Sequence, residues 1–289
     1  MLSRIIPAVI LSTTLLVAAV STPAHAQADR LAYLSGEAKQ AESVRDHVRA
    51  VLFYTQILKE LEPPADVRRD VLTRRATAYE YVRDYAHAEQ DWAAALEVTP
   101  VAATVYAARG FFFLRRQRHG EALNDFVAGA ALDPSNPVFL YGQGRVLAGR
   151  SDYRGAIDRY TEAIRLAPQL GSNYLWRAEA YVRLDEHAEA QRDYDRALQL
   201  GGLKGPEVAF AYVGRGMSRF TLENVDGAID DFSQALDRFP GDPRTLKWRG
   251  YAYEKLGEYE RALADYEHAS KVVSYDPWLK DSLRRIRSR

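Results

Sequence analysis

Residues 137–170 read PVFLYGQGRVLAGRSDYRGAIDRYTEAIRLAPQL, and residues 171–204 read GSNYLWRAEAYVRLDEHAEAQRDYDRALQLGGLK. Laid over one another, the two stretches of 34 residues put Gly144 on Ala178, Ala156 on Ala190, Tyr160 on Tyr194 and Ala163 on Ala197. The phase continues outward in both directions. Small residues recur at Ala76, Gly110, Gly144, Ala178, Gly216 and Gly250, always 34 apart except for one step of 38. Twelve residues after each stands an alanine: Ala88, Ala122, Ala156, Ala190, Ala228 and Ala262. Four further on comes an aromatic residue (Trp92, Phe126, Tyr160, Tyr194, Phe232, Tyr266), and three beyond that Ala95, Gly129, Ala163, Ala197, Ala235 and Ala269. Spacings of four and three lie on one stripe of an α-helix. Pro100, Pro134, Pro168 and Pro240 then stop the helix in four of the six units. Asn136, Asp242 and Asp276 each precede a proline, the pairing expected of an N-cap followed by the first helical position.

This pattern resembles the tetratricopeptide repeat family, whose unit of 34 residues carries small residues at places 8, 20 and 27, an aromatic at 24 and proline at 32. Six units fit, beginning at Arg69, Ala103, Pro137, Gly171, Ala209 and Pro243. A degraded seventh runs from about Leu31 to Pro64, with Ala38, Ala50 and Tyr54 in the expected places. The chain departs from the family at place 4, where the usual tryptophan is Leu72, Tyr106, Leu140, Tyr174, Tyr212 or Leu246. At place 11, usually tyrosine, two units carry Leu147 and Arg219. The resemblance implies an all-α, right-handed solenoid of about seven helix-turn-helix hairpins. No hairpin buries its apolar face alone, so neighbours must stack. The expected organisation is a leader over 1–26, a degenerate hairpin over 27–68, six units over 69–276 and a basic capping helix over 277–289. Extra residues at 62–67 and 201–206 predict widened loops between hairpins.

The first 26 residues have the three parts of a secretory leader: Arg4 in a positive start, an apolar stretch from Ile5 to Val20, and Ala24-His25-Ala26 before Gln27. Cleavage after Ala26 and a periplasmic location are the expectation; an uncleaved anchor is the alternative. The apolar stretch is short beside the roughly 20 residues a membrane span needs. Lys plus Arg and Asp plus Glu both number 39, so there is no charge excess of the kind a nucleic-acid binder needs. With no cysteine, disulfides, thiolate chemistry and cysteine-ligated zinc are excluded.

A charge pattern runs inside the period. Place 7 is arginine and place 23 aspartate in five units, which predicts the ion pairs Arg75–Asp91, Arg109–Asp125, Arg177–Asp193, Arg215–Asp231 and Arg249–Asp265. In the unit from Pro137 both change together, to Gln143 and Arg159. Arginine–carboxylate pairs are often bidentate and fix geometry.

The resemblance also implies that places 2, 5, 6, 9, 12 and 13 line the concave face. There the sequence puts Phe111, Leu114, Tyr141, Leu175, Trp176, Val182, Phe210, Val213, Met217, Phe220, Trp248 and Tyr251. Charges sit at the edges: Arg74, Glu80, Arg115, Arg145, Glu179, Arg183, Arg244, Lys247, Glu254 and Lys255. A long exposed aromatic band marks an interaction site, unless tight winding buries it as core. The expected function is a scaffold or adaptor that binds peptide or helical segments of other proteins; self-association into an envelope assembly is the alternative. Some relatives clamp a C-terminal carboxylate with lysine at place 5 and asparagine at place 9; here place 5 is lysine only at Lys247 and place 9 is never asparagine, so that clamp is not expected.

No catalytic, cofactor or metal motif accompanies the repeats. His47, His119 and His187 all fall at place 17, too far apart to share an ion. No H-E-x-x-H or G-x-S-x-G occurs, and no enzyme activity, cofactor, metal or nucleic acid is expected. Membrane contact is expected only through the basic tail, where Lys280, Arg284, Arg285, Arg287 and Arg289 oppose Asp281. The other reading of that tail is a cap on the last hairpin.

Overall fold

The computed structural model describes residues 23–273 and 275–288, so the leader segment up to residue 22 lies outside the described residues. Among the described residues there are fifteen helices and no strand. They fall into two compact units, divided between Val98 and Thr99.

The first unit holds α1 (Pro23–Ser43), α2 (His47–Glu60), α3 (Ala65–Tyr81) and α4 (Tyr85–Glu97). The second holds five hairpins: α5 (Ala103–Arg115) with α6 (His119–Leu132), α7 (Pro137–Gly149) with α8 (Tyr153–Leu166), α9 (Gly171–Val182) with α10 (His187–Leu200), α11 (Gly205–Thr221) with α12 (Val225–Leu236), and α13 (Pro243–Lys255) with α14 (Tyr259–Val272). Helix α15 (Pro277–Arg287) closes it. Within each unit every helix packs on the next. In the second unit the first helices also touch one another, α5 with α7, α7 with α9, α9 with α11 and α11 with α13, so these five form one continuous layer.

The repeat residues become the core. The alanines at place 20, from Ala50 to Ala262, are fully buried, and the aromatics at place 24 are at most 1% exposed. Burying each such ring stabilises the fold by about 1.5–3 kcal/mol relative to an exposed one. Each turn within a hairpin is built the same way. Place 15 takes a left-handed backbone at Arg45, Arg83, Gln117, Ser151, Asp185 and Glu223, with φ between 58° and 64°, and at Gly257. In four hairpins the next residue (Asp46, Asp84, Asp152 or Asn224) accepts a hydrogen bond from the backbone N–H three positions on and caps the second helix. Asn136, Asp242 and Asp276 cap α7, α13 and α15.

One expectation is corrected. The extra residues do not widen the loops: the connections at 61–64 and 201–204 are four residues long, as at 133–136 and 167–170. Instead they lengthen α3 and α11 to 17 residues, against 12 or 13 for the first helices α5, α7, α9 and α13. Four residues make about one helical turn, so the insertion extends a helix without changing which face it presents. Glu207 secures the start of α11 by accepting from the backbone N–H of Lys204 at 2.9 Å.

Helix α15 buries Leu279, Ser282 and Ile286. Arg285 donates to Glu254 at 2.7 and 2.9 Å, and Arg287 pairs with Glu267 at 2.8 Å. The tail thus covers the last hairpin and spends two of its cations on it. No helix among the described residues is long and apolar enough to cross a membrane.

Candidate functional site

The ion pairs are internal. Arg75 donates to Asp91 at 2.7 and 2.7 Å, Arg109 to Asp125 at 2.8 and 2.6 Å, and Arg177 to Asp193 at 2.7 and 2.8 Å. Arg215 donates to Asp231 at 3.0 and 2.6 Å, and Arg249 to Asp265 at 2.8 and 2.8 Å. All five aspartates are buried. A third bond escapes the sequence pattern. The free nitrogen of the guanidinium reaches place 25 of the preceding hairpin: Arg75 to Thr55, Arg177 to Thr161, Arg215 to Asp195 and Arg249 to Ser233. Each of these arginines therefore ties two helices of one hairpin to its neighbour. Groups so engaged are poorly available to a ligand.

The layer of first helices carries the aromatic face. Phe111 lies edge-on to Phe126 with centroids 5.0 Å apart and meets Tyr141 at 6.0 Å. Trp176 meets Phe210 at 5.7 Å. Phe220 meets Trp248 at 6.1 Å and Tyr251 at 5.2 Å, and Tyr251 meets Trp278 at 6.1 Å. Rings from successive hairpins thus support one another. Phe111, Tyr141, Trp176, Phe210, Met217, Phe220, Trp248 and Tyr251 are all partly exposed, and Tyr141, Trp176, Phe210, Met217, Phe220 and Trp248 pack against buried clusters. Leu175 is a correction. It is fully buried among Ala178, Tyr194, Ala197 and Ala211, because its place on α9 turns toward α10 and the small Ala211 of α11 rather than toward the open face. Val213 is corrected likewise; it packs with Ala209 and Ala235.

Trp278 belongs to α15, yet it stands at the end of the aromatic seam. Its residue number gives the signal: it is place 2 of the unit that would follow at Pro277. With Arg244, Lys247, Trp248 and Tyr251 it lines a cavity of about 340 Å³. Lys247 sits 5.1 Å above its ring and pairs with Asp276. This corner offers flat apolar surface beside cations.

Buried tyrosine hydroxyls form a second regular contact. Tyr54 donates to Glu42 at 2.9 Å, Tyr194 to Glu179 at 3.3 Å and Tyr266 to Glu254 at 3.1 Å. Burial, followed by these carboxylates, holds the three phenols well above their ordinary pKa. Burial also raises the carboxyl of Glu179 above its usual value, against the pull of Tyr194, Arg183 and Arg244. Tyr160 occupies the same place in its hairpin, but its hydroxyl has no partner among the described residues.

No group of three or more His, Asp or Glu residues among the described residues stands close enough to hold a metal. The layer of first helices presents partly exposed rings with cations beside them. The tetratricopeptide repeat family model matches residues 73–137, 141–203, 175–243 and 213–271. The chain belongs to the tetratricopeptide repeat family. Curated relatives include the DnaJ homolog subfamily C member 7 homolog of Schizosaccharomyces pombe, 26% identical over 54% of this chain and 35% of its own length. The mitochondrial import receptor subunit TOM70 of Homo sapiens is 23% identical over 74% of this chain and 35% of its own length. The chain thus spans about a third of the length of these two relatives. Among solved structures, a tetratricopeptide repeat protein of Parabacteroides merdae superposes with a TM-score of 0.62 at 18% identity, covering 89% of this chain and 99% of that one. That likeness speaks to the fold. Tetratricopeptide repeat proteins generally mediate protein–protein interactions and are typically non-catalytic scaffolds.

Proposed function

We propose that the inner face of residues 99–289 is a docking platform for a peptide or helical segment of a partner protein. The observation that carries this reading is the aromatic seam from Phe111 to Trp278, whose rings keep part of their surface exposed and pack against other rings. Pre-placed, half-buried rings lose little side-chain entropy on binding and supply much contact area. Cations beside them (Arg244, Lys247 and Lys255) bias the surface toward segments that combine apolar and acidic residues. A photo-crosslinking amino acid at Tyr251 tests this in cells. The expected result is a discrete protein adduct that disappears when Trp248→Ala and Trp278→Ala are added, while the same probe at Arg165 on α8 gives none. Adducts that persist in the double variant would overturn the reading. A crosslinked homodimer would instead favour self-association.

The platform is proposed to work outside the cytoplasm after cleavage behind Ala26. That cut removes only the first turn of α1, and Leu34 is the first buried side chain after it. Mass spectrometry of the cell-purified protein should find Gln27 at the N-terminus; an intact leader would refute it.

A further inference from the structure

The hairpin of α7 and α8 departs from two patterns, an Arg–Asp pair present in five other hairpins and a Tyr–Glu contact present in three. It lacks the Arg–Asp pair, having Gln143 and Arg159 in those places, and Tyr160 lacks the glutamate that meets the matching tyrosine elsewhere. Glu42 and Glu254 reach their tyrosines from place 12, and Glu179 from place 9. On α7 those places hold Ala148 and Arg145. Tyr160 is 0% exposed, and a second buried donor beside it, Trp176 Nε1, is also unpartnered. A buried donor left unpaired costs about 1–3 kcal/mol, so two in one place call for an explanation.

Both residues line a cavity of about 310 Å³ whose ionisable side chains include Arg145, Arg183, His119 and Glu179. Arg145 donates to Tyr141 Oη at 2.9 Å and stacks 3.7 Å above the Trp176 ring. Arg183 lies over the Tyr153 ring at 4.8 Å. Neither guanidinium forms an ion pair among the described residues, unlike the five arginines of the ladder. Two unpaired guanidiniums, a phenol and an indole N–H face one carboxylate. The balance of donors and charge calls for an anion with acceptor oxygens.

We propose that this cavity takes the carboxylate of a glutamate side chain from a bound partner segment, which accepts from Tyr160 Oη and Trp176 Nε1 and pairs with Arg145 and Arg183. A glutamate is inferred because a glutamate side chain is what meets the corresponding tyrosine in three other hairpins. The two donor atoms are sealed from solvent, so the Arg145 guanidinium swings off the indole ring as the carboxylate enters. The proposal rests on the platform reading only for the source of the glutamate.

The test uses the side-chain indole N–H signals of the isotope-labelled protein, one for each of its four tryptophans. The probes are N-acetylglutamate amide, its neutral isostere N-acetylglutamine amide, and inorganic phosphate. N-acetylglutamate amide should move the Trp176 signal saturably, with Kd of roughly 1–10 mM as befits so small a ligand. The glutamine analogue and phosphate should not. Tyr160→Phe should weaken binding about tenfold. Ala148→Glu, which restores an internal acid at place 12, should abolish the response. The Trp248 signal serves as the control for folding. No saturable shift, an equal response to glutamine or phosphate, or unchanged affinity in Tyr160→Phe would each overturn the proposal. A Tyr251 adduct that persists in the Trp248→Ala, Trp278→Ala variant would sink the platform reading and leave the Trp176 response intact, so the two failures are separable.

Discussion

Removing Asp193 tests whether the arginine ladder holds the stack together. The Arg177 side chain is 16% exposed and that of Asp193 10%, and two hydrogen bonds of 2.7 and 2.8 Å join them. In Asp193→Ala the guanidinium keeps only Thr161, at 2.9 Å, among these partners. Breaking one side of a buried pair costs about 3–5 kcal/mol. Because the edge of Arg177 can draw in water, the lower end applies, about 3 kcal/mol. For a unit of this size that is a fall in Tm of about 6–12 °C. The penalty belongs to the stranded charge, so Arg177→Met with Asp193→Leu should return to within about 1 kcal/mol of wild type. Urea unfolding followed by circular dichroism measures both. A loss below about 1 kcal/mol in the single variant, or an equal loss in the double, would show that the ladder is ornamental.

Gly129→Ala places a methyl where the Phe139 ring already sits, 2.1 Å from the new carbon. It should destabilise by about 1–3 kcal/mol despite better helix propensity, and Phe139→Val should rescue it in a thermal melt. Ser151→Gly relieves a left-handed backbone at φ 64° and should stabilise by about 0.5–1 kcal/mol after the entropy cost of glycine is counted; an unchanged or lower urea midpoint contradicts this. Burial raises the folded-state pKa of Glu179, so its contribution to stability is greatest in acid, below the ordinary carboxyl value, and is lost as pH rises through the raised value. Glu179→Gln should therefore melt higher than wild type at neutral pH and equal to it near pH 3. A difference that grows in acid would reverse the assignment.

The period made the fold legible. Ala156, Tyr160 and Ala163 mark a buried stripe wherever they recur, because only small residues let the helices of a hairpin close on the ring between them. The same period put Arg177 opposite Asp193 without any knowledge of distance. Three things were not legible. Four extra residues before Ala209 look like a loop in a count of repeats, yet they add a turn to α11, since a helix lengthens without rotating its working face. Leu175 and Trp176 are neighbours in sequence but point in different directions from α9, and Leu175 is buried with Ala211 while Trp176 stays partly exposed. Trp278 lies outside the six matched units, and its contact with Tyr251 shows that the seam continues onto α15.

In a stack of near-identical hairpins, stability is shared out locally, each hairpin with its own links and those to its neighbours. Regularity is then the structural baseline, and departures from it show where another demand acts on the sequence. Most charged side chains near the core are consumed by that baseline: Arg75, Arg109, Arg177, Arg215 and Arg249 by their aspartates, Glu42, Glu179 and Glu254 by tyrosines. The hairpin from Pro137 to Leu166 gives up both links, and it gives them up where Arg145, Tyr160 and the indole of Trp176 meet. Random loss of one link would leave a weakened hairpin and no pattern. Coincident loss of both, with cations and buried donors gathered around one cavity, is what a site for an external acid requires.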